Sequence, residues 1–143
     1  MLNPIAPPAV QGIDGSGVDI GYVEIPFEYT YQINLSASQA LLGQVVSIFT
    51  EADWVWRGLV FTSTGLFSVQ FQDGQGYYLS SGLVYSTNMP NSAGDPWPIF
   101  PEVYYPAGGR IYFNITDLSG STNTGQILFR GANRYKVPGT PSY

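Results

Sequence analysis

The sequence predicts an all-β protein: a jelly-roll-like antiparallel β-sandwich over residues 22–143, preceded by an extended N-terminal arm over residues 1–21. Three observations carry this. Apolar residues return at every second position in several short runs, the period of a strand with one buried face. Roughly eight or nine such runs follow one another at about 10-residue spacing, separated by Gly, Pro and polar breaks, as in a sandwich or barrel. No segment holds a helical period long enough to found a helical layer. Two long polar loops, Ser86–Pro98 and DLSGSTNTG from Asp117, suit crossovers between two sheets better than meander hairpins, which selects the jelly roll.

The arm comes first. Met1–Gly21 contains Pro4, Pro7 and Pro8, then Gly12, Gly15, Gly17 and Gly21, and keeps no period of either kind. Proline removes a backbone donor and glycine costs backbone entropy, so the segment resists both helix and central strand. It reads either as a disordered tail or as an arm ordered by contact with another subunit. Ile5, Val10 and Ile13, with Val18 and Ile20, are apolar hooks that a plain linker does not need, and they favour the arm.

Strands follow. In PFEYTYQINLS, Phe27, Tyr29, Tyr31, Ile33 and Leu35 alternate with Glu28, Thr30, Gln32 and Asn34, giving one dry face and one wet face. Ser36–Leu42 has room for one helical turn capped by Ser36 or Ser38. Gln44–Thr50 and Asp53–Ser63 are further strands, the second apolar on both faces like a strand central to a packed sandwich. Leu66–Gln72 alternates through Phe67, Val69 and Phe71, and DGQG (Asp73–Gly76) turns the chain into a hairpin with Tyr77–Leu79. Leu83–Tyr85 is a short strand, and the proline-broken Ser86–Pro98 a loop. Glu102–Tyr105 and Arg110–Thr116 flank the turn PAGG, and GQILFRGANRYKV closes the domain with one or two strands.

Composition restricts the chemistry. There is no Cys and no His among 143 residues, which removes disulfides, thiolate and imidazole metal ligands, and the imidazole base of a nucleophilic triad. A Ser–Lys pair would need Lys136, the only lysine, and no Ser is singled out beside it. Glu51 and Asp53, two apart, would share a strand face at a separation open to an inverting glycosidase, but acids at a strand start are ordinarily solvated edge residues. Asp73 offers calcium a single carboxylate in a turn. The reading is therefore no catalytic residue, no metal and no cofactor. A net charge of −5 leaves no basic footprint for nucleic acid. The N-terminus lacks a signal-peptide pattern, and no apolar run approaches the roughly 20 residues of a membrane span. A soluble, unprocessed chain with no membrane partner is expected.

Only 10% of residues are charged, and three of the five cations fall close together in ILFRGANRYKV: Arg130, Arg134 and Lys136. With Ile127 and Phe129 facing inward, alternation turns Arg130 outward, and it puts Arg134 and Lys136 on one side. Gly131 between them marks a bulge or a close approach of another backbone. The cations either protect an edge strand against aberrant pairing or form a docking strip for an acidic partner, with Arg130 able to make a bidentate contact. Trp54 and Trp56 belong to the most apolar strand and to the core. Trp97, bracketed by Pro96 and Pro98 in the loop, is a platform for a sugar ring or an anchor for a protein partner.

The same terminal strand carries a resemblance. Phe129-Arg130-Gly131, preceded by PEVYYPAGGRIYFNITDLSG, resembles the C-terminal half of the small head decoration, or cement, proteins of tailed phages. The similar segments run in the family's order: Pro101–Tyr105, Pro106–Gly109, Ile111–Gly120 and Ile127–Gly131, with Trp56-Arg57-Gly58 and FQDGQG (Phe71–Gly76) upstream. The likeness extends over about Asp53 to Val137 and leaves out the arm and the Ser86–Pro98 loop. It implies a non-enzymatic virion protein on the capsid exterior that bridges neighbouring major capsid proteins and self-associates as a dimer or trimer. A tail- or fibre-associated virion module and a glycan-binding sandwich are the alternatives.

Overall fold

Alternation becomes strand pairing in the computed structural model, which describes residues 21–137. Eight strands form: β1 (Tyr22–Leu35), β2 (Ala40–Ser47), β3 (Asp53–Ser63), β4 (Phe67–Phe71), β5 (Val84–Tyr85), β6 (Trp97–Tyr105), β7 (Arg110–Asp117) and β8 (Asn123–Lys136). They make two four-stranded sheets, ordered β1-β8-β3-β6 and β2-β7-β4-β5, with every pairing antiparallel. The chain passes from one sheet to the other at every connection but β4–β5. This is the strand order of an eight-stranded jelly roll. The two long polar loops are indeed crossovers, joining β5 to β6 and β7 to β8.

The core forms where the inward faces meet. Trp54 and Trp56 are fully buried, at 0% exposure. Their rings meet Tyr29, Phe71 and Phe129 edge-on at centroid distances of 5.0, 5.0 and 5.4 Å, the geometry aromatic quadrupoles prefer. Each indole N–H finds a carbonyl, Trp54 on Phe27 at 2.9 Å and Trp56 on Gly58 at 2.7 Å, so no donor is stranded. From the opposite sheet, Ile111, Phe113 and Ile115 supply the alternate residues of β7. Tyr105 closes the floor: its hydroxyl donates to the Gln72 carbonyl at 2.7 Å, and burial pushes its pKa up.

Several local expectations change. Ser36–Leu42 forms a tight turn instead of a helical one: Gln39 N–H bonds the Ser36 carbonyl at 3.0 Å, Ser38 has φ of 57°, and β2 already starts at Ala40. Pairing with β7 accounts for the earlier start, since Ala40 faces Thr116 across the ladder. The Ser86–Pro98 loop is shorter than expected. It contains one 3-10 turn, Ser86–Asn88, and ends where Trp97 joins β6. The closing segment is one 14-residue strand, and it does not lie at an edge: β8 sits between β1 and β3, paired along its length with β1 from Tyr22↔Lys136 to Leu35↔Asn123. Edge protection therefore cannot explain its cations. The edges are β1 and β6 in one sheet and β2 and β5 in the other.

The motifs behind the resemblance do structural work. Asp117 of the DLSG turn accepts from the Ser38 N–H (2.8 Å), the Ser119 hydroxyl (2.6 Å), the Gly120 N–H (3.0 Å) and the Asn123 amide (3.1 Å). One buried carboxylate thus joins the β1–β2 turn to the β7–β8 crossover. The Ser119 hydroxyl, followed by these other donors, holds its pKa well below the usual carboxylate range against the opposing effect of burial. In DGQG, Asp73 accepts from Gln75 and Tyr77 N–H, both at 2.9 Å, and Gly76 takes φ of 91°. The turn forms as expected, but Tyr77–Leu79 makes only a single bridge, Gln72↔Tyr78, rather than a strand.

Candidate interaction surface

Two parts of the β1-β8-β3-β6 sheet are chemically distinct: its outward face and its β6 edge.

On the outward face the register sets charges opposite one another. Glu24 of β1 pairs with Arg134 of β8, and Glu28 with Arg130. Arg134 Nε lies 3.2 Å from Glu24, Arg130 is ion-paired with Glu28, and an Arg130 N–H also reaches the Ala93 carbonyl at 2.8 Å. A bulge in β3 between Trp56 and Gly58 pushes Arg57 out. Its guanidinium then bridges Glu24, at 2.8 Å, and Glu102 of β6. Burial pushes the Glu102 carboxyl up, but its bonds from Arg57 and the Tyr104 hydroxyl bring the net shift below the usual value. Arg134 is also sandwiched by rings, 4.4 Å from the Tyr22 centroid and 5.1 Å from that of Tyr104. Three arginines and three glutamates thus balance on this face. Two of the three cations expected to form a docking strip, Arg130 and Arg134, belong to this network; Lys136 is exposed at the strand's end.

The β6 edge is of another kind. Pro98 pairs with Gly58 and Val103 with Trp56, so four residues, Ile99 to Glu102, stand opposite Arg57 alone. The surplus loops outward and carries Phe100 at its tip, 93% exposed. On one side of it lies a groove of about 530 Å³ between β6 and the Asp73–Leu79 turn; on the other is a recess of about 460 Å³ reaching Arg57. Leu79 and Tyr104, both exposed, line the groove with Phe100.

Trp97 is placed differently from expectation. It is a strand residue facing Leu59, half-buried against the core, and only part of it lines the groove. Sugar recognition by this groove would need unengaged polar groups. Its acids are engaged instead: Glu102 by Arg57 and Tyr104, Asp73 by two backbone N–H groups. The expected arm contacts Ile5, Val10 and Ile13 lie outside the described residues. Asp53 accepts from the Ala107 N–H at 2.9 Å, while Glu51 belongs to the turn before β3, so the two acids do not share a strand face. Among the described residues no group of three or more acidic side chains is placed to hold a metal ion.

Sequence reasoning missed Phe100 and, beside it in the groove, Tyr104. A signal was present in WPIFPE: two prolines cannot sit in a central strand, so any apolar residue between them belongs to an edge. Comparison with known protein families, with characterised proteins and with solved structures returns no match.

Proposed function

We propose that this chain is a structural virion protein, a decoration or cement protein that binds the outer surface of a phage head and bridges neighbouring major capsid proteins. The observation that carries the reading is the contrast on one sheet. Its charged face is balanced internally, while its flank offers an aromatic, charge-poor surface of the kind found at protein interface cores. Broad passive contact is what a cover protein needs; reactive groups are not. The segments similar to the decoration family supply the framework for that contact: Asp117, Gly131 and the Arg57 bulge each hold strands or crossovers in place.

Residues 1–20 add to the capsid contact. Val137 N–H bonds the Gly21 carbonyl at 3.1 Å, which sets the junction with residues 1–20 beside exposed Lys136. Ile5, Val10 and Ile13 then engage the shell, with Lys136 beside them. The test is co-sedimentation of the purified full chain with undecorated heads. Wild type should saturate the heads, and the full-length triple variant Ile5→Asp/Val10→Asp/Ile13→Asp should lose most of that occupancy while melting as wild type does. A wild-type chain that leaves every head bare refutes the reading; an undiminished triple variant refutes the role of the arm.

A further inference from the structure

We infer that, in the free chain, the groove along the β6 edge holds the chain's own residues 4–8, PIAPP, docked as a polyproline II segment. Grooves that bind such segments are walled by aromatic rings and need no free backbone row: proline rings pack on the ring faces while the segment's carbonyls meet side-chain N–H donors. This groove, of about 530 Å³, has that make-up. Trp97, Phe100 and Tyr104 supply rings, Leu79 and Val103 supply aliphatic surface, and Trp97 and Gln75 carry side-chain N–H groups. An added strand would find no partner here, because Pro98 and Pro101 lack an N–H and the four-residue bulge breaks the row between them. PIAPP matches from its own side. Pro4 and Pro7, three apart, fall on one ridge of a helix with three residues per turn, and no charged side chain occurs from Met1 to Ile13. Glu102 is already engaged by Arg57 and Tyr104, and Asp73 by two backbone N–H groups, so an uncharged occupant strands no unpaired acid.

The chain holds a second proline pair at the same spacing, Pro138 and Pro141, and reach decides between the two. Through the ladders Tyr104 is level with Val55, Ala132 and Pro26. From Gly21 that is five residues along the sheet and three strands across, about 22 Å at ~3.3 Å per residue and ~4.8 Å per strand. Residues 9–20 extend to about 40 Å, enough to lay Pro4–Pro8 along the groove. From Val137, level with Gly21 but one strand nearer, the distance is about 19 Å, and the chain to Pro141 extends only about 13 Å, so that pair stops short. Side chains shorten the path further. Tyr22, beside the junction, and Tyr104, in the groove wall, clasp the same Arg134 guanidinium at 4.4 and 5.1 Å. A tether of this length holds the segment at a local concentration of order mM, so a contact of only ~0.1 mM between separate molecules fills the groove about 90% of the time. The inference concerns the free chain and stands apart from capsid binding; on a head, Ile5 leaves the groove to engage the shell.

The experiment is NMR of the full chain, without capsid, carrying a nitroxide at Ala9→Cys, a unique label because the sequence has no Cys. The amide signals of Leu79, Phe100, Val103 and Tyr104 should lose most of their intensity, while that of Leu42, on β2 in the other sheet, should keep its own. Adding Pro4→Ala/Pro7→Ala/Pro8→Ala should restore the groove signals severalfold at an unchanged melting temperature. Phe100→Asp, at a side chain 93% exposed, should likewise restore those of Leu79 and Val103. Mixing nitroxide-bearing chain at natural isotope abundance with isotope-enriched chain that lacks the nitroxide should leave every signal intact, since the contact is within one molecule. Groove signals that keep full intensity, loss spread evenly over the surface or centred on β1, loss that neither variant relieves, or loss in the mixed sample would each overturn the proposal.

Discussion

Arg134→Glu separates a cation that holds the fold from one that waits for a partner. A docking cation can be reversed with little effect on stability; a networked one cannot. Arg134 has a side chain only 14% exposed, with its Nε 3.2 Å from Glu24, itself 20% exposed. At an effective dielectric constant of about 20 the gross attraction at that distance is about 5 kcal/mol. Most of it is offset by desolvation, and breaking a fully buried pair costs about 3–5 kcal/mol. Here the pair is partly wet, which lowers that loss, but reversal also faces Glu24 with a like charge and removes the cation from between Tyr22 and Tyr104. The expected destabilisation is about 3 kcal/mol, and for a chain of this size that is a fall of roughly 10 °C in Tm.

The assay is urea unfolding followed by tryptophan fluorescence, since Trp54 and Trp56 leave a fully buried environment on unfolding. Lys136→Glu, at the exposed end of the same strand, is the control and should cost less than about 1 kcal/mol. If Arg134→Glu proves no more costly than Lys136→Glu, the network does not hold the sheet. A loss of capsid binding at unchanged stability would then return Arg134 to the docking surface.

Two further outcomes follow from the same geometry. Gly131→Ala should lower Tm by about 10 °C, an overpacking cost near the top of the usual ~1–3 kcal/mol range, because a Cβ there would lie 1.8 Å from the Val55 carbonyl and 2.9 Å from the Trp54 ring. Gly82→Ala, with nothing within 4 Å, should melt as wild type, and equal melting of the two variants would refute the close approach. Asp117 has a folded pKa below its unfolded value, so its contribution is present above the unfolded pKa of about 4 and is lost as pH falls. Asp117→Asn should therefore be less stable than wild type at neutral pH and lose less on acidification, read from urea midpoints across the acid range; parallel pH profiles would count against the hub.

Sequence alone revealed the parts of the fold that depend on period and on crossovers. Ile111, Phe113 and Ile115 alternate because β7 has one buried face, and that is legible in RIYFNIT without neighbours. The polar loops marked sheet changes because a crossover must pass over the end of the sandwich through solvent. Position in a sheet was not legible. The cations of β8 looked like edge protection, yet charge on an interior strand needs only one wet face and opposite charges across the ladder. Glu24 and Glu28 supply those charges from more than a hundred residues away. Pairing at that distance depends on strand order, which no local window contains.

The bulge in β6 was hidden for a related reason. The sequence marks a strand only from Glu102 to Tyr105, and only the ladder shows that Pro98 and Val103 pair on either side of Arg57. That mismatch has two effects. Arg57, pushed out of β3, becomes the bridge between Glu24 and Glu102 that ties β1 to β6 across the sheet. Phe100, pushed out of β6, becomes the most exposed large apolar side chain among the described residues. The anchor that shapes the flank and the ion bridge that steadies the sheet behind it thus come from one irregularity. A variant that shortened Ile99–Glu102 to restore the register would be expected to lose both together: the Phe100 protrusion, and the Arg57 contribution to stability.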